Sequence, residues 1–323
     1  MASNEATLLK EALGTKLLES YGRSGGGCIN EGQGYMTDHG PVFVKKNADA
    51  RAKVMFDGEF SGLTALYSTG TVRVPKPIAV IPNPVAGGAL FAAEYIDMNG
   101  SMHSDKEAEM GTQLARLHLY NSELLKPEME RADWMTRCAP PTGFKRLEPI
   151  HRFGFHTTTC CGLLPQDNTW TDDWIEFYTE RRLQHQVDLI TKKRADKELR
   201  ESWAALKPGI SALFRSCPPV TPALLHGDLW KGNYSCTATE PVIFDPSSFY
   251  GHSEFEFGIL TMFGGPGASF HDAYHKLIPK APGFDDRLNL YQLFHHLNHW
   301  NHFGSSYRSS SLNLIKQLLR TIQ

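Results

Sequence analysis

His226-Gly227-Asp228-Leu229-Trp230-Lys231-Gly232-Asn233, followed by the apolar run Val242-Ile243-Phe244 and then Asp245, is the stretch from which the rest of the chain can be read. It sets a carboxylate at 228, a carboxamide five positions later at 233, and a second carboxylate at 245 closing a β-like run. Phosphoryl transfer needs a carboxylate near the attacking oxygen. It also needs oxygen ligands for a hard cation bridging the phosphates, all converging from one rigid loop. Asp228, Asn233 and Asp245 supply three such oxygen groups. Taken alone, the stretch also fits a surface turn, because Gly-Asp is common turn chemistry and Asp245-Pro246 can simply end a strand.

The upstream half of the chain bears on that choice. Lys45 ends the β-rich run Pro41-Val42-Phe43-Val44-Lys45. Residues 49–67 carry Ala52, Met55, Phe56, Phe60, Leu63 and Leu66 at a helical period, with Gly70 just beyond, and Glu59 sits inside that helix. A strand lysine pinned by a helix carboxylate and reaching ATP phosphates is the kinase arrangement. By itself the pair would be a solvated surface contact. Gly25, Gly26 and Gly27 precede the lysine strand, where backbone N–H groups can cover phosphate, although such glycines also make a flexible linker. They fit neither G-x-x-x-x-G-K-[ST] nor G-x-G-x-x-G, which disfavours a P-loop NTPase or a Rossmann dehydrogenase. Runs 78–81 and 89–96, separated by Pro82, Pro84 and Gly87-Gly88, predict a hairpin.

Elsewhere, residues 4–21 have the period of an amphipathic helix closing at Gly22, and the character changes after Met98-Asn99-Gly100. Helices are expected at 106–120, 173–190, 253–263, 269–278, 285–303 and 309–322, with short strands at 223–225 and 242–244. Residues 121–170, rich in Pro, Gly, Thr and Cys, predict an extended insertion over the surface. The expected fold is α+β: a bilobal, protein-kinase-like arrangement. A small antiparallel-sheet N-lobe with one main helix (1–96) binds ATP, and a larger, mostly helical C-lobe (97–323) carries the catalytic loop, the metal site and the acceptor pocket.

Composition bounds the function. A length of 323 residues suggests two lobes with an ample core. A formal charge of −2 with 41% hydrophobic residues excludes a disordered chain and a basic nucleic-acid binder. No apolar run approaches the ~18–20 residues that span a bilayer, and the first ten residues lack a secretory layout, so a cytoplasmic location and no membrane partner are expected. Six cysteines without C-x-x-C spacing suggest reduced thiols, neither a zinc ribbon nor a disulfide framework. Eight of the fourteen histidines fall between His226 and His302. His295 and His299 are spaced i, i+4, but no H-E-x-x-H is present and no carboxylate stands at the spacing that would complete a catalytic zinc site.

Longer motifs are more specific. Gly26-Gly27-Cys28-Ile29, Phe153-Gly154-Phe155-His156 with Cys160-Cys161-Gly162, His226 to Asn233, Asp245-Pro246 with Ser248 to Glu254, and Leu297 to Gly304 together resemble the fructosamine-3-kinase and ketosamine-3-kinase family, protein-kinase-like enzymes related to aminoglycoside phosphotransferases. The resemblance covers nearly the whole chain. It implies ATP and Mg2+ as cofactors, Asp228 as catalytic base, Asn233 and Asp245 as metal ligands, and Lys45 with Glu59 aligning the phosphates. The strand end Glu94-Tyr95-Ile96 would offer backbone groups to adenine. Family members phosphorylate the 3-hydroxyl of a ketose attached to an amine, and the adduct then eliminates. The implied partners are glycated proteins and small-molecule ketosamines, with no nucleic acid.

A sugar has polar edges and apolar faces, so its pocket wants an aromatic plane beside donors and acceptors. Trp230 and His299 are the candidates, with core packing as the plain alternative for each. Cys28 lies among amides that would bind anions. A lowered pKa there would let it oxidise, block ATP, or link monomers into a redox-dependent homodimer; otherwise it is a small packing residue. Histidine–glycine stands where protein kinases have histidine–arginine before the aspartate. Pro246 follows Asp245, and no A-P-E segment follows, so control by an activation loop is not expected. Two rivals differ in class: a kinase for another small hydroxylated acceptor of the aminoglycoside or choline type, and a pseudokinase binding module. The second would be marked by loss of Lys45, Asp228 or Asp245, and all three are present.

Overall fold

The computed structural model describes residues 2–22, 25–26, 30–83, 87–138 and 140–323. Helix α1 (Ala2–Leu13) precedes an antiparallel sheet of six strands: β1 (Glu19–Ser20), β2 (Gly25–Gly26), β3 (Glu31–Thr37), β4 (Gly40–Asn47), β5 (Pro77–Pro82) and β6 (Ala89–Glu94). Their order is β1-β3-β4-β6-β5, with β2 paired to β3. Helix α2 (Ala52–Thr69) packs on one face and α1 on the other.

Strand alternation decides which way Lys45 points. Val42 and Val44 on β4 join Leu90, Ala92 and Ile81 in the small cluster that receives Leu9 of α1. Ala89, Phe91 and Ala93 of β6 pack with Phe56, Leu63 and Leu66 of α2. The side-chain period of a strand is two, so Lys45, one residue past Val44 and paired with Phe91, belongs to the α2 face. A one-residue slip would turn it away from Glu59. Helix α2 ends as expected at Gly70, which is left-handed (φ 61°) and donates its N–H to Tyr67 O. Helix α1 is shorter than its periodicity suggests: it stops at Leu13, where Gly14 turns left-handed (φ 62°), and Leu17 and Leu18 lie outside it.

Beyond Asp97 come α3 (Ser104–Leu124), the short α4 (Asp133–Arg137) and a two-stranded hairpin, β7 (Cys160–Cys161) with β8 (Leu164–Pro165). A continuous helical rod follows: α5 (Trp174–Glu176), a π-helical stretch (Phe177–Gln184) and α6 (His185–Arg194). Arg182 is fully buried in the π stretch, its guanidinium 4.6 Å from the Phe177 ring and 4.2 Å from the Phe249 ring. Helix α7 (Lys197–Leu206) and the 3₁₀ run Lys207–Phe214 have no counterpart in the sequence expectations. Strands β9 (Ala223–Leu225), β10 (Tyr234–Cys236), β11 (Pro241–Ile243) and β12 (Phe249–Gly251) form two small pairs, β9–β12 and β10–β11. A 3₁₀ turn (Ser253–Phe255) then leads to α8 (Glu256–Leu260), α9 (Ala268–Leu277), α10 (Phe284–Phe303) and α11 (Arg308–Ile322).

The expectation of a surface insertion at 121–170 fits 125–152, where Met135 alone among the described residues is buried, and is corrected for 153–168. Phe153, Phe155, Thr159, Cys161, Gln166 and Asn168 are all buried. Thr159 Oγ1 donates to Ser248 O at 3.1 Å, and Ser247 Oγ donates to Cys160 O at 2.6 Å, so this segment is stitched to the stretch that leads into β12. Its polar residues are hydrogen-bonded core, and composition alone cannot separate that from loop. Among the described residues no helix is long and apolar enough to cross a membrane.

Candidate active site

Loop 226–233 runs from β9 to β10 and is held from beneath. Glu256 at the start of α8, with no solvent exposure, accepts the backbone N–H of His226 (2.7 Å, Oε2) and of Gly227 (2.9 Å, Oε1). His226 donates from Nε2 to Phe244 O (2.8 Å), while its Nδ1 accepts the Asp228 N–H (3.3 Å). Ser247 N–H closes the frame on His226 O at 2.8 Å. Gly227 is obligatory here: its φ is 86°, and a Cβ would stand 2.3 Å from Ser247 O. Burial alone would raise the Glu256 carboxyl, but His118, His226 and the Gly227 N–H outweigh it and hold the pKa below its ordinary value. Glu256 therefore carries a charge where two backbone donors need an acceptor.

Three charged side chains meet across the lobes. Lys45 Nζ donates to Glu59 Oε1 at 2.5 Å and to Asp245 Oδ1 at 2.6 Å, although 200 residues separate Lys45 from Asp245. Burial works against the ammonium, yet Asp245 and Glu59 together push its pKa above the ordinary value. Glu59 is pushed up to about 7, first by its own burial, against the pull of Lys45. Asp228 is likewise pushed up to about 7, by burial, then by the Asp245 and Glu256 carboxylates. A carboxyl poised there can exchange a proton at neutral pH.

The oxygen groups suit a hard divalent cation. Asn233 Nδ2 donates to Asp228 O at 2.8 Å and Asp245 Oδ1 serves Lys45, while among the described residues Asn233 Oδ1 and Asp245 Oδ2 have no hydrogen-bond partner. Asp245 sits at φ 59°, an uncommon left-handed backbone for a non-glycine residue. That conformation swings its carboxylate out of the β11 line toward Lys45. The donor set is all oxygen, as Mg2+ requires.

On the acceptor side, the Trp230 indole is 38% exposed and lies over Gly232, where a Cβ would stand 2.4 Å from the ring. It meets Phe263 edge-on at 6.1 Å, and Phe263 meets His299 at 5.5 Å. Trp230 and His299 thus belong to one aromatic chain. The histidine beside the candidate base is His295, one helical turn earlier, with a ring nitrogen within 4.8 Å of an Asp228 carboxylate oxygen and of Cys161 Sγ. Sequence reasoning missed His295 in this place, together with Cys161 and Glu256. Period-four spacing on α10 could nominate His295 and His299 together, but no sequence signal orders them by distance to Asp228.

The remaining candidates are spread along β2 and β6. Gly25 and Gly26 pair with Gly32 and Glu31 through the backbone, while Gly27 and Cys28 lie outside the described residues. At the end of β6, the Glu94 N–H is committed to Lys76 O (2.9 Å) and the Tyr95 N–H to Pro41 O (3.4 Å). The Glu94 carboxylate clasps Arg73. Among the described residues the Ile96 N–H has no partner.

A sequence profile described as fructosamine kinase matches residues 1–127 and 142–321. The chain is 51% identical to mouse ketosamine-3-kinase over 97% of its own length and 99% of that protein. It is 39% identical to the chloroplastic protein-ribulosamine 3-kinase of Oryza sativa subsp. indica, over 98% of this chain and 83% of that one. A crystal structure from Haemophilus somnus, provisionally assigned as a fructosamine-3-kinase, superposes with a TM-score of 0.77 at 21% identity, covering 99% of this chain and 98% of the other. That last likeness shows the bilobal α+β fold. With the profile spanning most of the sequence, the chain belongs to the fructosamine kinase family.

Proposed function

We propose that this chain is an ATP- and Mg2+-dependent kinase that phosphorylates the 3-hydroxyl of ketosamines, free or attached to glycated protein lysines, including fructosamine and ribulosamine or psicosamine adducts. The observation that carries the reading is the meeting of the half-buried Asp228 carboxyl with Asn233 on one side and the Lys45–Glu59–Asp245 cluster on the other.

In this reading an Asp228 oxygen accepts the proton of the attacking 3-hydroxyl. Lys45, held by Glu59, places its ammonium against phosphate oxygens, and Asn233 and Asp245 offer their free oxygens to the metal. When bound, Mg2+ would supply positive charge that neutralises what develops on the phosphoryl group. The Ile96 N–H and the Glu94 carbonyl would read adenine, and the Gly25–Gly26 backbone would cover the phosphates with Gly27 and Cys28. Trp230 offers an exposed plane to the apolar sugar face, with His299 farther along the same aromatic chain. Residues 1–96 would act as the nucleotide lobe and 97–323 as the acceptor lobe, working in the cytosol.

The test is ATP-dependent phosphorylation of a fructose–lysine adduct, with the phosphate located by NMR. Asp228→Ala should lower kcat by about 10²–10⁴-fold, the usual contribution of a general base, with an unchanged melting profile. Near-normal turnover in a folded Asp228→Ala protein would remove its assigned role.

A further inference from the structure

We propose that Cys161, Asp228 and His295 form a second metal site, one that takes a thiophilic divalent cation of the zinc class and silences the enzyme by occupying Asp228. The three residues come from the β7–β8 hairpin, the catalytic loop and α10, and their donor atoms all lie within 4.8 Å of one another. Among the described residues this is the one cluster of histidine, cysteine and carboxylate whose donors converge in this way. Zinc bond lengths put tetrahedral ligand atoms about 3.3–3.8 Å apart, so side-chain movements of about 1 Å complete the site.

Two features mark it as built for a ligand. His295 is 1% exposed, and its Nε2 has no hydrogen-bond partner, an orphaned donor or acceptor deep in the protein. The Cys161 thiol is oriented by Asn298, whose Nδ2 donates to Sγ at 3.2 Å, the kind of outer-shell contact that fixes a metal ligand. The hairpin carrying it is pinned to α10 by Leu163 N–H donating to His302 Nε2 at 3.0 Å. Sulfur and imidazole suit zinc and reject magnesium, whereas Asn233 and Asp245 offer oxygen alone. Two cations of different hardness are thereby sorted within one cleft.

As the Zn–S bond forms, the Cys161 proton leaves to buffer, and so does the Asp228 proton wherever that carboxyl carries one; the Asp228 carboxylate and a His295 nitrogen donate lone pairs, and water fills the fourth position. A carboxylate held by the cation cannot take up the hydroxyl proton. The inhibitory consequence rests on the kinase reading, whereas metal binding does not, and the two are measured separately.

Metal-depleted protein, free of nucleotide, is titrated with Co2+ as a spectroscopic substitute and with Zn2+ in competition. One equivalent should give a thiolate-to-cobalt charge-transfer band that persists in Cys160→Ser and disappears in Cys161→Ser. Zn2+ affinity should fall at least ten-fold in Cys161→Ser and in His295→Gln. With Mg2+ and ATP in excess, Zn2+ should inhibit wild type, while Cys161→Ser, measured against its own zinc-free rate, resists inhibition by the same ten-fold or more. Absence of the cobalt band in wild type, or equal zinc affinity in wild type and folded Cys161→Ser, overturns the proposal. The wild-type band decides the matter even if a variant does not fold.

Discussion

Glu256→Gln isolates what positions the catalytic loop without touching any residue assigned to the chemistry. The native carboxylate accepts two backbone N–H groups from below, at 2.7 and 2.9 Å, in a site with no solvent. Glutamine has almost the same shape but only one acceptor, so its amide NH2 must confront one of those N–H donors. A hydrogen bond to a charged group contributes about 1.5–3 kcal/mol, and a buried donor left unsatisfied costs about 1–3 kcal/mol; a loss near 3 kcal/mol is expected. For a chain of 323 residues, about 2.1 cal/mol/K per residue gives an unfolding entropy near 0.7 kcal/mol/K, so Tm should fall by about 4–5 °C. The strain falls on His226 and Gly227, immediately before Asp228. Accordingly kcat should drop by about 10–100-fold, while the KM for ATP stays within about three-fold, because Lys45 and its partners are untouched. Differential scanning fluorimetry and steady-state kinetics read both. If kcat stays within about two-fold of wild type while Tm falls, Glu256 supports the fold but does not aim Asp228, which refutes the positioning role.

Lys45→Met strands the Glu59 and Asp245 carboxylates it now neutralises, and kcat/KM for ATP should fall by at least about 100-fold, or ~2.7 kcal/mol; a loss below ten-fold would refute its phosphate role. Trp230→Ala should raise the KM for the ketosamine well above that for ATP and change stability by less than about 1 kcal/mol, since the ring is 38% exposed. Equal effects on both KM values would point to packing instead. Stability should be acid-sensitive at unusually mild pH. His252 is buried, donates to or accepts from Tyr291 OH at 2.7 Å, and has its pKa pushed down to about 3 by burial, then by Arg287 and His118. An unfolded histidine gains its proton near 6.5, so between those values the unfolded state holds more protons. The contribution is complete above about 6.5 and is lost on acidification at about 1.4 kcal/mol per pH unit, ~2 kcal/mol by pH 5. Urea midpoints flat from pH 7.5 to 5 would contradict this.

Residues that fold near their sequence neighbours were legible. Helix α2 shows a clear 3.6 period and a left-handed Gly70, and the β-rich run at Lys45 is what β4 turns out to be. Local signals also misled. The leucine pattern of 4–21 continues past Gly14, whose φ of 62° breaks the helix, because periodicity registers apolar spacing and is blind to a single backbone torsion. Residues 121–170 looked like surface because Pro, Gly, Thr and Cys are common there. In the folded chain the polar groups of 153–168 are satisfied in the core, as where Gln166 Nε2 donates to Ser247 Oγ at 2.9 Å. The histidine-rich end of the chain divides among separate roles: His302 pins the cysteine hairpin, His226 braces the loop, and His299 joins the aromatic chain that starts at Trp230.

By itself the sequence determined the chemistry on offer, since Asp228, Asn233, Asp245, Lys45 and Glu59 are the residue types phosphoryl transfer needs, in an order and on elements whose periods can be counted. Only the tertiary structure decided who stands beside whom. The carboxylate that seemed missing from the α10 histidines is Asp228 itself, 67 positions before His295, and the sulfur between them arrives from the hairpin at Cys161. Spacing reports neighbours along one helix or strand. Contacts between distant elements follow from burying their apolar faces together, and no count along the chain contains that.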